Sequence, residues 1–326
     1  MEFINNLATA PKISIIITFH NLGKYIRDCV WSILKQTYQN FEIIIVNDAS
    51  DPEEALALQK IKNDKTTIIN LAKNKGQLLA FLEGVKHSSG EFICMVDADD
   101  VLYPNYLQTL LWAHLNYKYA LICASGGEIT ENGEITSLNY LNKNSKKINN
   151  TVSLKQVEKI FNNDETFEIK EVKAPFGLWS WSPSTSGMFR RSALDILNYF
   201  PDKEYWTTGA DKVVFSLLHL IGGSANISSV CYLYRHHSKN SSQTTLTTGN
   251  KKYLNEVYTK LLITWNKKLR LDTYKMFKTH KAELIERYNN LNYSKMLLSI
   301  AFCFDTKFCA KAIKAFAHKI LSFKKI

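Results

Sequence analysis

Four short apolar runs, each ending in small polar or acidic residues, constrain this chain more than any other feature. Ile13–Phe19 is a β-branched run too short for a helix, the pattern of a buried strand. Phe41–Val46 and Phe92–Val96 repeat it, and Thr67–Asn70 is a shorter version. Between them lie stretches with helical spacing. Lys24–Gln36 places Tyr25, Cys29, Ile33 and Leu34 on one side, Glu53–Lys62 follows, and Gln77–His87 is bounded by Gly76 and Gly90. Strand and helix alternating through short connections predict an α/β fold, a parallel sheet with helices on both faces. Ligands of such sheets collect beyond the carboxyl ends of the strands. The polar clusters Thr18–Asn21, Asn47–Ser50 and Asp97–Asp100 fall there, so the architecture alone points to a nucleotide-like ligand.

After Asp100 the alternation loosens. Asn105–Tyr117 reads as a helix, Ala120–Ser125 as a strand, Lys212–Ile221 as a helix and Ser229–Arg235 as a strand. Residues 128–175 are polar and carry no clear period, and Trp179–Arg191, dense in Trp, Ser, Pro and Gly, reads as an ordered, site-forming segment. The expected organisation is a nucleotide-binding half over residues 1–115, a second half over 116–240 and a basic, mostly helical extension over 241–326. From Val213 to Tyr234 there is no Asp, Glu, Lys or Arg, but Gly222-Gly223-Ser224 interrupts the stretch with a turn, which excludes a membrane span.

At 326 residues and 45% apolar, the chain can bury a core without staples. Its six cysteines, Cys29, Cys94, Cys123, Cys231, Cys303 and Cys309, contain no CxxC pair, so they are expected as reduced, buried thiols rather than a zinc site. No basic region followed by an apolar stretch opens the chain, so no cleaved secretion signal is expected.

The net charge of +11 is concentrated at one end: residues 241–326 hold 17 basic and 5 acidic side chains, and the remainder is nearly neutral. At 100° per residue, Lys307, Lys311, Lys314, His318 and Lys325 share one side of a helix, with Phe308, Ile313, Phe316, Ile320 and Phe323 on the other. Such a helix suits the surface of an anionic membrane, here the inner, cytoplasmic face; the alternative is that its apolar side packs on the body. Zinc-finger, RNP and basic-zipper spacings are all missing, so nucleic acid is not an expected partner.

Asp97-Ala98-Asp99, with Asp100 beside it, is the most specific chemical feature. Crowded carboxylates at a strand's end repel one another, and a hard divalent cation, Mg²⁺ or Mn²⁺, relieves that repulsion while bridging a substrate diphosphate. A solvated acidic turn is the plainer alternative. Trp179 and Trp181 alternate onto one face and could stack against an acceptor sugar, or equally be core aromatics beneath a loop. His236 and His237 follow a strand, so at most one of them faces a site.

Taken in order, Pro11–Thr18, Asn21, Phe41–Ser50, Asn74-Lys75-Gly76 and Gly90-Glu91-Phe92 leading into Asp97–Asp100 resemble family 2 glycosyltransferases of the GT-A fold. Pro183–Gly187 with Arg190-Arg191, Gly209-Ala210-Asp211 and Tyr234–His237 resemble the acceptor half of one branch of that family. The resemblance implies a Rossmann-like nucleotide-binding half fused to an acceptor-binding half. Its implied roles put Thr18, Phe19, His20 and Asn21 along the base and ribose, and Asp48 on the base, usually uracil. Asn74, Gly76, Asp97 and Ala98 complete the nucleotide site. Asp99 would hold the metal with His237, Asp211 would be the catalytic base, and Ser186 and Gly187 would meet the acceptor. His20 stands where an aromatic Tyr is common, Asn47 replaces an Asp, Leu82 an Asn, and Ala210 the Glu that commonly precedes the base.

Those roles make a coherent reaction. Sugar transfer breaks an anomeric C–O bond while charge grows on the departing diphosphate, which a cation at Asp99 would stabilise. A carboxylate on the other face takes the acceptor hydroxyl's proton, giving single displacement with inversion. The expectation is therefore transfer from a nucleotide-sugar, UDP-linked, to a hydroxyl of a glycan or lipid-linked acceptor. A nucleotidyltransferase would need a Gly-rich basic loop after the first strand, and Thr18–Gly23 offers one Gly; a non-catalytic membrane-surface scaffold is the remaining alternative.

Overall fold

The computed structural model describes residues 10–137, 168–173, 181, 183–238, 240 and 251–288. The first half alternates as expected: β1 (Ile13–Phe19), α1 (Ile26–Leu34), β2 (Phe41–Asn47), α2 (Pro52–Gln59), β3 (Thr66–Asn70), α3 (Gln77–Lys86) and β4 (Phe92–Asp97). It continues with β5 (Val101–Leu102), α4 (Tyr106–Asn116), β6 (Leu121–Ile129), β7 (Ile135–Ser137), β8 (Ile169–Glu171) and β9 (Gly187–Arg190). A helical turn at Ile196–Tyr199 leads to α5 (Ala210–Gly222), β10 (Ser224–Arg235), α6 (Lys251–Thr279) and α7 (Lys281–Arg287).

These strands form one sheet in the order β3-β2-β1-β4-β9-β6-β10-β5, with β7 beside β6 and β8 beside β10. β3, β2, β1 and β4 are mutually parallel, as are β6 and β10. The sheet is nevertheless mixed rather than all-parallel. β9 is inserted antiparallel between β4 and β6, and β5 runs antiparallel to β10. The four residues of β9, with Met188 and Phe189 buried on opposite faces, join the two parallel blocks across the expected boundary at residue 115.

Each face of the sheet has its own core. Ile13, Ile15, Ile17 and Phe19 face α1 and α4, whereas Ile16, Ile44 and Val46 face α3 and α5, the period-two alternation of a pleated strand. α5 and β10 are joined at Gly223, whose φ of 67° ends the helix in a single residue. β10 therefore begins at Ser224, five residues before the sequence pattern suggested.

The extension does not stand apart from the body. Leu269, Met276 and Phe277 of α6 and Leu284 of α7 are buried in the core beneath α3 and α5. His280 lies against Tyr199, and Arg287 pairs with Asp195. The basic amphipathic pattern at 307–326, with Cys303 and Cys309, lies outside the described residues, as does Trp179. Cys29, Cys94, Cys123 and Cys231 are free and buried, as expected. Among the described residues no helix is long and apolar enough to cross a membrane.

Candidate active site

The carboxyl ends of β1, β2 and β4 lie side by side in register, with Thr18 flanked by Val46 and Asp97. Asp48, just past β2, is buried, and its carboxylate accepts the backbone N–H groups of Lys75 (2.7 Å) and Gly76 (2.8 Å). It thereby fixes the loop that opens α3. Gly76 takes φ of 81°, and a side chain there would strike the backbone of Thr207. The first N–H groups of α3 reach the carbonyls of Thr207 (2.9 Å) and Trp206 (3.4 Å). The helix start is thus sealed by the 206–207 segment.

His20 Nδ1 is 3.0 Å from the Asp48 carbonyl, so that nitrogen carries the proton, and the Asn74 amide lies 3.3 Å away. Asn21, at φ 55°, donates to Asp51 and accepts its N–H, tying the β1 and β2 loops together. Phe19 and Ala98 differ from expectation. Both side chains are buried in the core below, because Phe19 falls on the inward side of the pleat and Ala98 sits under the Asp97–Asp100 turn.

Each aspartate at the end of β4 has a separate set of partners. Asp97 receives the Ser184 hydroxyl (2.6 Å) and the Gln77 amide (3.2 Å). Asp99 meets His237 Nε2 at 2.7 Å and the Asn240 amide at 3.2 Å, both on Oδ2. Asp100 is fully buried and accepts from Thr185 Oγ1 (2.5 Å) and the Arg235 N–H (3.1 Å), a structural role. Burial, then the charges of Asp99 and its neighbours, push the carboxyls of Asp97 and Asp100 above the usual range. Arg235, 1% exposed, donates its Nε to the Asp99 carbonyl (2.8 Å) and pairs with Asp28 (3.2 Å).

Asp211 lies in the first turn of α5 rather than at its cap; Gly209, at φ 70°, is the cap residue. The Asp211 carboxylate accepts the N–H of Lys212 (2.8 Å), and burial raises its carboxyl to about 6. Asp211 is close enough to Asp97 to act on it electrostatically. The bridge between the two is Gln77, whose amide nitrogen donates to Asp97 while its oxygen accepts the N–H of Ala210 (3.2 Å).

Three of the expected acceptor residues are buried away from the site, and the two expected metal residues meet as a pair. Trp181 is 2% exposed, donates to Ser224 Oγ (2.9 Å) and meets Phe215 and His219 edge-on, so it packs under α5 and offers no stacking face. Ser186 and Gly187 are also buried, Gly187 because Phe215 fills the space a side chain would need. Their neighbours Ser184 and Thr185 are the ones that touch the aspartates. His237 does face Asp99, and His236 turns away towards Glu128 (3.5 Å), as alternation requires. Among the described residues, no three His, Cys, Asp or Glu side chains converge as a complete metal cage. Asp99 and His237 are a two-residue donor set, which fits a cation whose remaining positions come from substrate oxygens and water.

Sequence reasoning left Gln77, Ser184, Thr185, Arg235 and Asn240 without roles. Gln77 had a signal, a polar residue opening an otherwise apolar helix behind Gly76. Asn240 had none, because its function depends on the fold of the 235–240 turn.

Comparison with known proteins places this geometry. The sequence profile of Glycosyl transferase family 2 matches residues 14–194. Glycosyltransferase GlyG of Streptococcus pneumoniae serotype 4 is 36% identical over 100 residues, 30% of this chain and 33% of the relative. EpsH of Bacillus subtilis is 32% identical over 125 residues, 38% of this chain and 36% of the relative. The matched segments thus span about a third of these curated relatives. In structure, S. aureus TarS residues 1–349 in complex with UDP-GlcNAc superposes with a TM-score of 0.53 at 16% identity, covering 92% of this chain and 83% of TarS. That likeness extends the shared fold across both halves. With its profile match running from β1 through β9, the chain belongs to glycosyl transferase family 2.

Proposed function

We propose that this protein is an inverting glycosyltransferase that moves a sugar from a UDP-sugar to a hydroxyl of a glycan or lipid-linked acceptor. The carrying observation is Gln77, which joins Asp97 at the end of β4 to the helix start that bears Asp211. A donor-side carboxylate and a candidate base are thereby held in one cleft by a single side chain. The UDP-GlcNAc complex of TarS, a protein of the same fold, favours a UDP-linked donor.

Asp48, His20 and Asn74 form the floor on which a nucleoside would rest, and Thr18 and Asp97 flank the position of its sugar. Asp99 and His237 would hold a Mg²⁺ or Mn²⁺ ion, which would supply Lewis-acid stabilisation to the leaving diphosphate. Asp211, ionised at neutral pH, accepts the proton of the acceptor hydroxyl as its oxygen attacks the anomeric carbon. The anomeric C–O bond breaks with its electron pair leaving on the nucleotide diphosphate, and the configuration inverts because one displacement occurs. Ser184 and Thr185 hold Asp97 and Asp100 in place throughout. The basic segment 307–326 supports a peripheral position on an anionic, inner membrane face, close to a lipid-linked acceptor.

Calorimetric binding of UDP with Mn²⁺, repeated with chelator and with Asp99→Ala, tests the reading. Binding that falls in both controls is expected; no UDP binding under any condition overturns it.

A further inference from the structure

Past Ile129 the chain leaves β6, turns, and returns as β7 at Ile135. The Thr130 N–H donates to the Glu134 carbonyl (2.8 Å), and Gly133, at φ 86°, lets the turn close. The His236 N–H donates to the Ile129 carbonyl (2.8 Å), so the turn starts beside the segment that carries His237. Glu131 sits in this turn and has no part in the reaction described above.

Its contacts nevertheless lead to the metal-site candidates. The Tyr25 hydroxyl donates to Glu131 Oε1 (3.0 Å), and Lys24 Nζ reaches the same oxygen (2.6 Å). The Glu131 carbonyl accepts Nη1 of Arg235 (3.2 Å). Tyr25 is buried, and its ring stacks on the His237 imidazole at 4.5 Å with 29° between the planes. A stacking contact is not directional, so the ring can slide or tilt unless its far end is held. The hydroxyl is the one polar handle Tyr25 has, and Glu131 takes it. The Lys24 and Glu131 side chains stay 58% and 43% exposed, and an ion pair so open to solvent adds little to folding. The hydrogen bond to Tyr25 is the contact that reaches the site.

We infer that Glu131 is a positioning residue, which through the Tyr25 hydroxyl fixes the ring on which His237 rests and so holds His237 Nε2 against Asp99. The inference deepens the reading of Asp99 and His237 as a metal-donor pair, and rests on it. A turn from the second half of the chain thereby serves the donor side. The physical basis is freedom removed in advance: a donor already held in place loses less on binding its cation.

The test uses the full chain and the variants Glu131→Ala, Glu131→Gln, Tyr25→Phe and Glu131→Ala/Tyr25→Phe. Tyr25→Phe keeps the ring and removes only its hydroxyl. The first readout needs neither metal nor nucleotide: the NMR signals of the His237 ring, assigned by their loss in His237→Ala. Glu131→Ala and Tyr25→Phe should each shift and broaden these signals. Glu131→Gln, whose amide oxygen still accepts the hydroxyl, should restore them. The second readout is the Mn²⁺ midpoint of UDP binding. It should rise about 3–10-fold in either single variant, less than for loss of a direct partner of a metal ligand. The double variant should be no worse than either single one, because both cut the same bond.

Unmoved His237 signals in Glu131→Ala overturn the inference. So do additive effects in the double variant, and so does a change in Glu131→Gln as large as in Glu131→Ala, which would assign the effect to charge. A wild type without Mn²⁺-dependent UDP binding overturns the donor-pair reading instead, and the metal-free ring signals still decide whether Glu131 holds His237.

Discussion

Nε2 of His237 lies 2.7 Å from Oδ2 of Asp99 although 138 residues separate them in the chain. The Tyr25 ring stacks on the imidazole at 4.5 Å, and the Asn240 amide reaches the same carboxylate oxygen at 3.2 Å. Arg235 completes the arrangement from below, its guanidinium 5.3 Å from the Tyr25 ring centre and its Nε on the Asp99 carbonyl. The metal-site candidates are therefore positioned before any ligand arrives. Pre-set ligands lose less freedom on binding than mobile ones.

His237→Ala should raise the Mn²⁺ concentration needed for UDP binding by at least about 10–100-fold, the loss seen even when only an orienting partner of a metal ligand is removed. Tyr25→Leu should have a smaller effect in the same direction, because it frees the ring without deleting a donor. Calorimetry of UDP across a Mn²⁺ titration reads both. An unchanged Mn²⁺ midpoint in His237→Ala would leave Asp99 as the sole protein ligand.

Gln77→Leu keeps the volume of the side chain and removes both of its hydrogen bonds. Asp97 would lose a donor and the first turn of α5 an acceptor. Turnover should fall by roughly 10–100-fold, since small displacements of reacting groups carry large kinetic costs. The loss should fall on kcat more than on the donor KM, because Ser184 still holds Asp97. Steady-state kinetics beside a thermal melt separates this from simple unfolding.

Much of this was legible before the structure. β1, β2 and β4 follow from runs such as Ile13–Phe19 because a strand buried on both faces leaves an uninterrupted apolar signature, whereas β3, at the sheet edge and only partly covered, left a shorter one. Asp97 and Asp99 stood out because crowded carboxylates at a strand's end need a reason, and Asp211 was marked by the family resemblance of Gly209-Ala210-Asp211. The inserted strand β9 was hidden: Gly187–Arg190 is four residues long, and its pairing with β4 and β6 depends on partners far away in sequence. Trp181 misled for a related reason. Spacing on one face does not say whether that face meets solvent or α5, and Ser224 and Phe215 decided it. The Asn240 contact is equally a product of tertiary folding.

Asp211 carries the pH prediction. Burial holds its carboxyl at about 6, so it is mostly protonated below that value and ionised above it. A base works only when ionised, and turnover should rise with pH through about 6 to a plateau near neutrality, falling about tenfold per unit on the acid side. Asp211→Asn should abolish turnover while UDP still binds with Mn²⁺. A pH–rate profile of kcat/KM with no acid limb between about 5 and 7 would remove Asp211 from the role of base.

Gly76→Ala tests how the two halves meet. At φ 81° an alanine is strained, and its Cβ would come within 2.4 Å of Thr207 Cα, a backbone atom that cannot rotate aside. The strain alone costs about 1–3 kcal/mol, and separating Thr207 from α3 would also expose its first N–H groups. Urea unfolding should show a lower midpoint, and the loop that holds Asp48 should lose protection from hydrogen exchange. An unchanged midpoint would mean that the 206–207 segment is free to retreat from α3.

The extension can be dissected because part of it belongs to the core. Ending the chain at Gly249 would remove Leu269, Met276, Phe277 and Leu284, each burying an apolar side chain worth on the order of 1.5–3 kcal/mol. That truncation should be poorly folded, so its failure to bind membranes would carry no information. Ending the chain at Tyr288 keeps all four residues and removes the basic, aromatic-anchored pattern at 307–326. The shorter protein should melt close to the full chain, retain UDP binding and lose flotation with anionic vesicles, while the full chain floats with them and is released by salt. Equal flotation of the two would assign any membrane contact to the body and leave 307–326 without that role.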